Sequence, residues 1–187
     1  MTTAIIRPTS DQVAALFTFG AGIGNYDRVN ESSTNDMNGL TTSTTGTDRY
    51  GMGDLSLSGT ITSVTAYIRG WCEAHDNVLT PASCQMGVYI GSTGYYSGVE
   101  MLSTSVANLN KSWATNPATE AAWTWEDINA LQMLLKLTGG TWVTMKESGS
   151  FAAYASQAWI EITYSLPTFI KGIMRHNIMS PFIIGGN

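Results

Sequence analysis

Residues 158–164 read Ala-Trp-Ile-Glu-Ile-Thr-Tyr, and this stretch is the clearest indication of the class of fold. Its apolar side chains recur at every second position: Ala158, Ile160, Ile162 and Tyr164. Successive side chains of a β-strand point to opposite faces, so a period of two predicts a half-buried strand. The alternate positions, beginning at Trp159, then form the outward face.

Two earlier segments alternate in the same way. Residues 61–72 and 84–90 lie on either side of a loop around Asp76 to Pro81, and we expect them to form an antiparallel hairpin. In that register Cys72 and Cys84 would face each other, which leaves a disulfide possible. Free core thiols are the more common outcome in a protein made in a bacterial cytoplasm, so two free thiols are expected.

Shorter elements complete the prediction. Residues 134–137 are expected to form a hairpin with residues 142–146 across two glycines. A short edge strand precedes Pro8, and another strand is expected near residues 99–106. The polar stretch from Gly20 to Gly53 is expected to form long loops with one or two short strands.

One helix is predicted. Thr124 is a good N-cap residue, and Asp127 stands three positions later as the acidic partner of a capping box. Ile128 and Leu131 share one face of the turns that follow, so the helix covers roughly Trp125 to Gln132. We expect Trp123 and Trp125 to pack in the core beside it.

Together these elements predict one antiparallel β-sandwich over residues 1–165, mostly β and jelly-roll-like, with a C-terminal extension at residues 166–187. Other Greek-key sandwiches remain open, because the pattern of strands does not give their order. The chain lacks the βαβ alternation of a parallel sheet.

Charge and composition exclude several functions. The net charge is −5 with no Lys/Arg cluster, which argues against nucleic acid as a partner. No run of 18 apolar residues exists, so no membrane-spanning helix is expected. Nucleophile and phosphate-loop motifs are absent, and His75 and His176 are expected in solvent. We therefore predict no enzymatic activity and no cofactor.

A calcium site is the one metal possibility that the sequence raises. Oxygen-rich loops can hold Ca²⁺, and a polar region of the chain contains several carboxylates. The candidates are Asp27, Glu31, Asp36 and Asp48. No EF-hand spacing accompanies them, so a solvated loop is the simpler interpretation.

A block at residues 116–131 resembles a known family. It reads Asn-Pro-Ala-Thr, then Trp-Thr-Trp at 123–125 and Asp-Ile at 127–128, and residues 155–164, 54–69 and 6–8 fit the same pattern. The block is similar to jelly-roll virion structural proteins of tailed phages and prophages. The resemblance implies a capsid decoration or cement protein on the head, or a neck or tail component. It further implies a homo-oligomer bound to the major capsid protein or another virion protein, located in the virion, with no catalytic residues.

The second functional hypothesis is a carbohydrate-binding module of a phage fibre or host-attachment protein. A surface glycan would then be the partner, and exposed aromatic rings would form its platform. The candidates for that platform are Trp71, Tyr95 and Tyr96. Exposure of these rings in one place favours glycan binding, and their burial in a subunit contact favours decoration.

The extension at residues 166–187 is apolar and carries only basic formal charges. Such a segment has to pack on something, either its own sandwich or a neighbouring chain. We expect a docking arm. Its candidate interface residues are Phe169, Ile170, Lys171, Ile173, Met174, Arg175, Phe182 and Ile183.

Overall fold

The computed structural model describes residues 1–19, 24–32, 36 and 39–167. Strands are numbered along the chain. The first sheet contains six described strands: β1 (Thr2–Ile6), β3 (Phe17–Phe19), β4 (Gly39–Thr42), β6 (Thr60–Cys72), β11 (Ala107–Trp113) and β15 (Ala153–Ser165). The second contains another six: β2 (Pro8–Val13), β5 (Thr45–Met52), β8 (Ser83–Ile90), β9 (Thr93–Tyr96), β10 (Glu100–Met101) and β12 (Gln132–Thr138).

A third, smaller sheet lies at one end of the sandwich. Its described strands are β7 (Val78–Thr80), β13 (Gly140–Val143) and β14 (Ser148–Phe151). Two short helices occur in the described residues: α1 (Asn25–Val29) and α2 (Trp125–Ala130). No described helix has the length and apolar character needed to cross a membrane.

The first sheet is built around β15. This strand pairs antiparallel with β6 along its whole length, from Ala153 opposite Cys72 to Ser165 opposite Thr60. Its other edge pairs first with β4 and then with β1. The predicted alternation is confirmed, since Ile160 and Ile162 are buried and Trp159 is half-buried on the outer face.

The second sheet has β12 at its centre, between β5 and β8. Its inward side chains meet those of the first sheet to form one core, which includes Met133, Leu135, Ile68 and Ile160. All the pairings are antiparallel, and strand residues supply most of this core, with Leu16, Ala82 and Leu102 added from the connecting segments. The antiparallel, jelly-roll-like β-sandwich is therefore confirmed.

Both predicted hairpins are wrong. β6 belongs to the first sheet and β8 to the second, so Cys72 and Cys84 lie in different sheets as free, buried thiols. β12 likewise pairs with β5 and β8, whereas β13 pairs with β14 and β7. Alternation shows which side chains face the core, but it does not show which strand is the neighbour.

The expectation of long loops from Gly20 to Gly53 is also incomplete, because this stretch contains α1, β4 and the eight-residue β5. The alternate inward positions of β5 are Gly46, Asp48 and Tyr50. A glycine and a carboxylate give no apolar alternation, so the period of two does not reveal this strand. The strand expected near residues 99–106 is displaced and divided into β10 and β11.

Candidate functional site

A cleft of about 190 Å³ opens at the end of the sandwich where β6 finishes and the third sheet begins. Its lining combines apolar and polar residues: Cys72, Glu73, His75, Val78, Pro81, Ala82, Leu102, Ser103, Thr104 and Phe151. Ligand sites are typically mainly apolar concavities with a few placed polar groups, and this cleft has that composition. Its volume is below the roughly 300–1,000 Å³ of drug-sized sites, so it suits a small group.

Backbone hydrogen bonds fix the two walls of the cleft relative to β6. The N–H of Cys72 donates to the carbonyl of Ser103 at 2.9 Å, and the N–H of Glu73 donates to the carbonyl of Ala152 at 3.1 Å. The chain leaving β6 is therefore held between the segment that follows β10 and the start of β15. The lining residues are positioned by the ends of strands, which are more rigid than free loops.

His75 and Phe151 line the cleft, and the His75 ring stacks on Phe151 and on Trp142 behind it. The His75 ring lies 4.6 Å from that of Trp142, at 14°, and 5.8 Å from that of Phe151, at 27°. Each aromatic residue of the β13–β14 pair stands opposite a glycine, Phe151 opposite Gly140 and Trp142 opposite Gly149. A Cβ atom on either glycine would collide with the facing ring. These two glycines thus give the rings room to lie across the hairpin.

Glu73 supplies a fixed carboxylate at the cleft. Its Oε2 accepts from the N–H of Ala152 at 3.0 Å, and its Oε1 accepts from the Tyr154 hydroxyl at 2.8 Å. The Ala152 hydrogen bond, then the Tyr154 hydroxyl and finally the nearby His75 lower the pKa of Glu73. An ionised carboxylate has about four acceptor positions, so it can still accept hydrogen bonds from a ligand.

Sequence reasoning did not identify this site. It placed His75 in solvent, where the structure also exposes it, but it did not predict the rings beside it. The sequence feature that marks the site is the alternation of glycine and aromatic residues in the β13–β14 pair. That feature can be interpreted only once the strand partners are known.

The three predicted platform residues do not come together. Trp71 lies on the outer face of the first sheet, half-buried, and stacks on Tyr154 with 5.2 Å between ring centroids. Tyr95 and Tyr96 are successive residues of β9 in the second sheet and so point to opposite faces. Tyr95 packs against the core, and Tyr96 is 39% exposed on the outer face. A platform made of all three is therefore wrong.

The four calcium candidates take separate positions. Asp48 is buried and accepts four hydrogen bonds from protein groups, while Asp36 forms a salt bridge with Arg69 at 2.8 Å. Asp27 lies in the first turn of α1, and Glu31 uses its carbonyl to accept from Gln157. Within the described ranges, no three metal-ligating side chains form a group. The structure thus does not join these four into a calcium site.

The interface residues predicted in the C-terminal extension, from Phe169 to Ile183, lie outside the described residues. β15 ends at Ser165, and Leu166 and Pro167 follow it on the surface. The predicted division into a sandwich and an extension from residue 166 stays a prediction.

Comparisons with known proteins reveal only distant similarity. No protein-family model matches the chain, and neither does any curated protein. Similar solved structures include TmCBM61 in complex with β-1,4-galactotriose, at 6% identity and a TM-score of 0.41, covering 87% of this chain and 88% of that one. A Family 16 Carbohydrate Binding Module-2 is 12% identical with a TM-score of 0.36, covering 71% and 82% of the two chains. These values are too low to transfer the role of any residue.

Proposed function

We propose that this protein is a non-catalytic glycan-binding module whose end cleft holds a terminal sugar residue. The observation that carries the proposal is the stack of His75 on Trp142 and Phe151 beside the fixed carboxylate of Glu73, in an open cleft of about 190 Å³. The proposal rests on this arrangement and not on the two distant structures.

The chemistry of a sugar ring fits these groups. Its C–H face is apolar and packs against aromatic or aliphatic side chains such as those of Phe151 and Val78. Its hydroxyl groups are donors that a carboxylate binds with charge-assisted hydrogen bonds. The hydroxyls of Ser103 and Thr104 add further donors and acceptors to the lining.

The same lining supports binding rather than hydrolysis. Glycoside hydrolysis usually requires two carboxyl groups, about 5–9.5 Å apart on either side of the scissile bond. Among the described residues that line the cleft, Glu73 supplies the one carboxylate. Two of its acceptor positions are already bound to protein donors, which suits a fixed acceptor more than a proton-transferring group.

A glycan array with the purified protein tests the proposal, followed by titration calorimetry with the best ligand. Trp142→Ala removes the ring on which the cleft residue His75 stacks, and Glu73→Gln removes the carboxylate. Each should weaken binding by about tenfold or more, since aromatic contacts and hydrogen bonds to charged groups are each worth about 1–3 kcal/mol. Trp113→Ala is the matched control, because Trp113 is also half-buried but lies on β11 and takes no part in the His75 stack. The control should bind as wild type does.

Two results would contradict the proposal. One is the absence of any array ligand for a protein that is folded by circular dichroism. The other is a ligand whose affinity is unchanged in Trp142→Ala and Glu73→Gln, because that ligand would occupy another surface.

A virion location is the second candidate, favoured by the resemblance of residues 116–131 to tailed-phage structural proteins. We propose that such a module serves as a head, neck, tail or fibre component, where glycan binding would contribute to host attachment. Mass spectrometry of purified virions tests this location. Hundreds of copies would indicate head decoration, a few copies would indicate a tail or fibre, and absence from the particle would contradict the location.

A further inference from the structure

The outer face of the second sheet has a different chemistry from the cleft. In the antiparallel register, Arg49 on β5 lies opposite Leu134, and Gln132 lies opposite Tyr89 on β8. Directly opposed residues of neighbouring strands share a face, so these side chains and Lys136 all point outward. Tyr96 joins them from β9, opposite Gly87.

Arg49 and Tyr89 form a stacked pair on this face. The guanidinium carbon of Arg49 lies 4.2 Å from the centroid of the Tyr89 ring, within the range of a cation–π contact. Because β12 lies between β5 and β8, the Arg49 side chain extends across β12 to reach the Tyr89 ring. Stacking fixes the plane of the guanidinium and leaves its N–H edges to bind a ligand.

Two polar atoms on this face, one of them in Arg49 itself, have no hydrogen-bond partner among the described residues. They are Arg49 Nε and Gln132 Oε1, and both are buried. Buried polar groups are nearly always paired, and an exception requires a physical explanation. Here one donor and one acceptor lie on diagonal neighbours of the same sheet face, beneath the terminal N–H groups of Arg49.

Charges are segregated across this sheet. The carboxylates of its described strands, Asp11, Asp48 and Glu100, all lie opposite inward-facing residues or are themselves buried. Its cations, Arg49 and Lys136, both fall on the outward positions. In a protein of net charge −5, a sheet face with two cations and no described carboxylate attracts anions.

The first sheet also has an arginine stacked on an aromatic ring, and such a contact alone does not make an anion-binding site. Arg7 lies 5.7 Å from the Trp159 ring on its outer face. Glu161 shares that face, two positions along β15, and Arg69 there is already paired with Asp36. Arg69 is therefore offset by a carboxylate, and the ring under Arg7 shares its face with Glu161, although Arg7 Nη1 is also buried without a partner among the described residues.

We propose that the outer face of the second sheet is a second binding site, specific for acidic glycans. The N–H edge of Arg49 would bind a sugar carboxylate or sulfate in a bidentate manner, with Lys136 as an additional charge and Tyr89 and Tyr96 as apolar contacts. This site differs from the end cleft in both position and charge, so an experiment can disprove one of the two binding sites without affecting the other.

Titration calorimetry with matched oligosaccharides tests the site: tetragalacturonate, the neutral galactose tetramer and a heparin-derived tetrasaccharide. The acidic ligands should bind, and the neutral one should bind at least tenfold more weakly at this site. Comparison of the two acidic ligands distinguishes carboxylate from sulfate. Arg49→Gln should reduce the affinity for the acidic oligosaccharides by about tenfold. Lys136→Gln, at a half-buried position, should also reduce that affinity.

Arg7→Gln is the matched control, because it also removes an arginine stacked on an aromatic ring but from the first sheet; it should bind as wild type does. Trp142→Ala should also retain acidic binding, since it alters only the end cleft. Equal affinity for the neutral and acidic tetramers, or unchanged binding in both Arg49→Gln and Lys136→Gln, would overturn the proposal. Equally tight binding of a single-stranded DNA oligomer would also overturn it, because the face would then attract any polyanion.

Discussion

Asp48 shows how one residue stabilises a strand that has little apolar sequence. Its Oδ1 accepts from the N–H groups of Ala15 and Leu16 at 2.6 and 2.9 Å. Its Oδ2 accepts from the Asn25 side chain at 2.6 Å and from the Tyr50 hydroxyl at 2.9 Å. The carboxylate thereby links β5 to the segment after β2 and to α1. Burial of the Tyr50 hydroxyl, and then the charge of the Asp48 carboxylate, raise the pKa of Tyr50.

Asp48→Ala should therefore destabilise the protein strongly. It removes the acceptor of four donors and leaves them in a buried site, where each unpaired group costs about 1–3 kcal/mol. We expect a loss of about 3 kcal/mol or more in the free energy of unfolding, measured by denaturant titration. Asp54→Ala, at an exposed carboxylate, is the control and should change stability by about 0.5 kcal/mol at most. Equal stability of the two variants would contradict the role given to Asp48.

Cys84 is a buried thiol, and its environment determines its reactivity. Desolvation is the main cause that raises its pKa to about 12, with a smaller contribution from the charge of Glu100. Desolvation also raises the pKa of Cys72. The thiolate is the reactive form, so both thiols should react slowly with a disulfide reagent near neutral pH in native protein.

Titration of the denatured, unreduced protein with the same disulfide reagent should show two free thiols. A value of zero would mean that the cysteines are bridged, which their positions in different sheets contradict.

At the scale of single elements, α2 is the part of the structure that the sequence predicted best. The capping box is confirmed: Thr124 Oγ1 accepts from the Asp127 N–H, and the Asp127 carboxylate accepts from the Thr124 N–H. Trp123 is buried, and Trp125 is half-buried against Tyr164. Local sequence was sufficient here because a cap involves residues only three positions apart.

Thr124→Ala should cost about 1 kcal/mol, because the first turn loses its side-chain acceptor. Thr124→Ser is the matched control, since it keeps the hydroxyl, and it should melt close to wild type. Trp123→Ala should cost about 3–5 kcal/mol as a core truncation. Chemical denaturation measures all three, and a Thr124→Ala protein as stable as wild type would show that the cap contributes nothing.

Glu73 connects the end of β6 to the start of β15, and this link should depend on pH. Its folded pKa lies below the ordinary value of 4.5, so its contribution to stability is present above pH 4.5 and is lost as pH falls through the lower folded pKa. Glu73→Gln should therefore be less stable than wild type at pH 7, with the difference shrinking toward pH 3.

Denaturant midpoints across that range measure the effect. Glu120→Gln, at an exposed position, is the control and should show no such convergence. A Glu73→Gln difference that stays constant with pH would contradict the role of the ionised carboxylate.

At the scale of the whole molecule, the sequence predicted the class of fold but not its connections. The alternation in β6 and β15 showed which side chains are buried, because that property depends on a residue's own strand. Strand partners depend on residues far apart in the chain: β15 joins β1, at the other end of the described sequence. The cleft could not be predicted for the same reason, since β6, β14 and the segment after β10 form it together.

The extension at residues 166–187 remains a predicted docking arm. Deleting residues 166–187 should leave the sandwich folded with a similar melting temperature, because a domain of this size sustains its own core. Loss of self-association, or of binding to purified particles, should appear in light scattering or co-sedimentation. A large fall in melting temperature with association intact would show instead that the extension completes its own sandwich.

Binding of a sugar in the end cleft can be located by chemical-shift mapping. Isotope-labelled protein would be titrated with the best ligand from the glycan array while the backbone amide signals are followed by nuclear magnetic resonance. We predict the largest, saturable shifts at Glu73, His75, Ser103 and Thr104, with the outer face of the first sheet unchanged. Shifts confined to other surfaces, with these four amides unmoved at saturation, would contradict the claim.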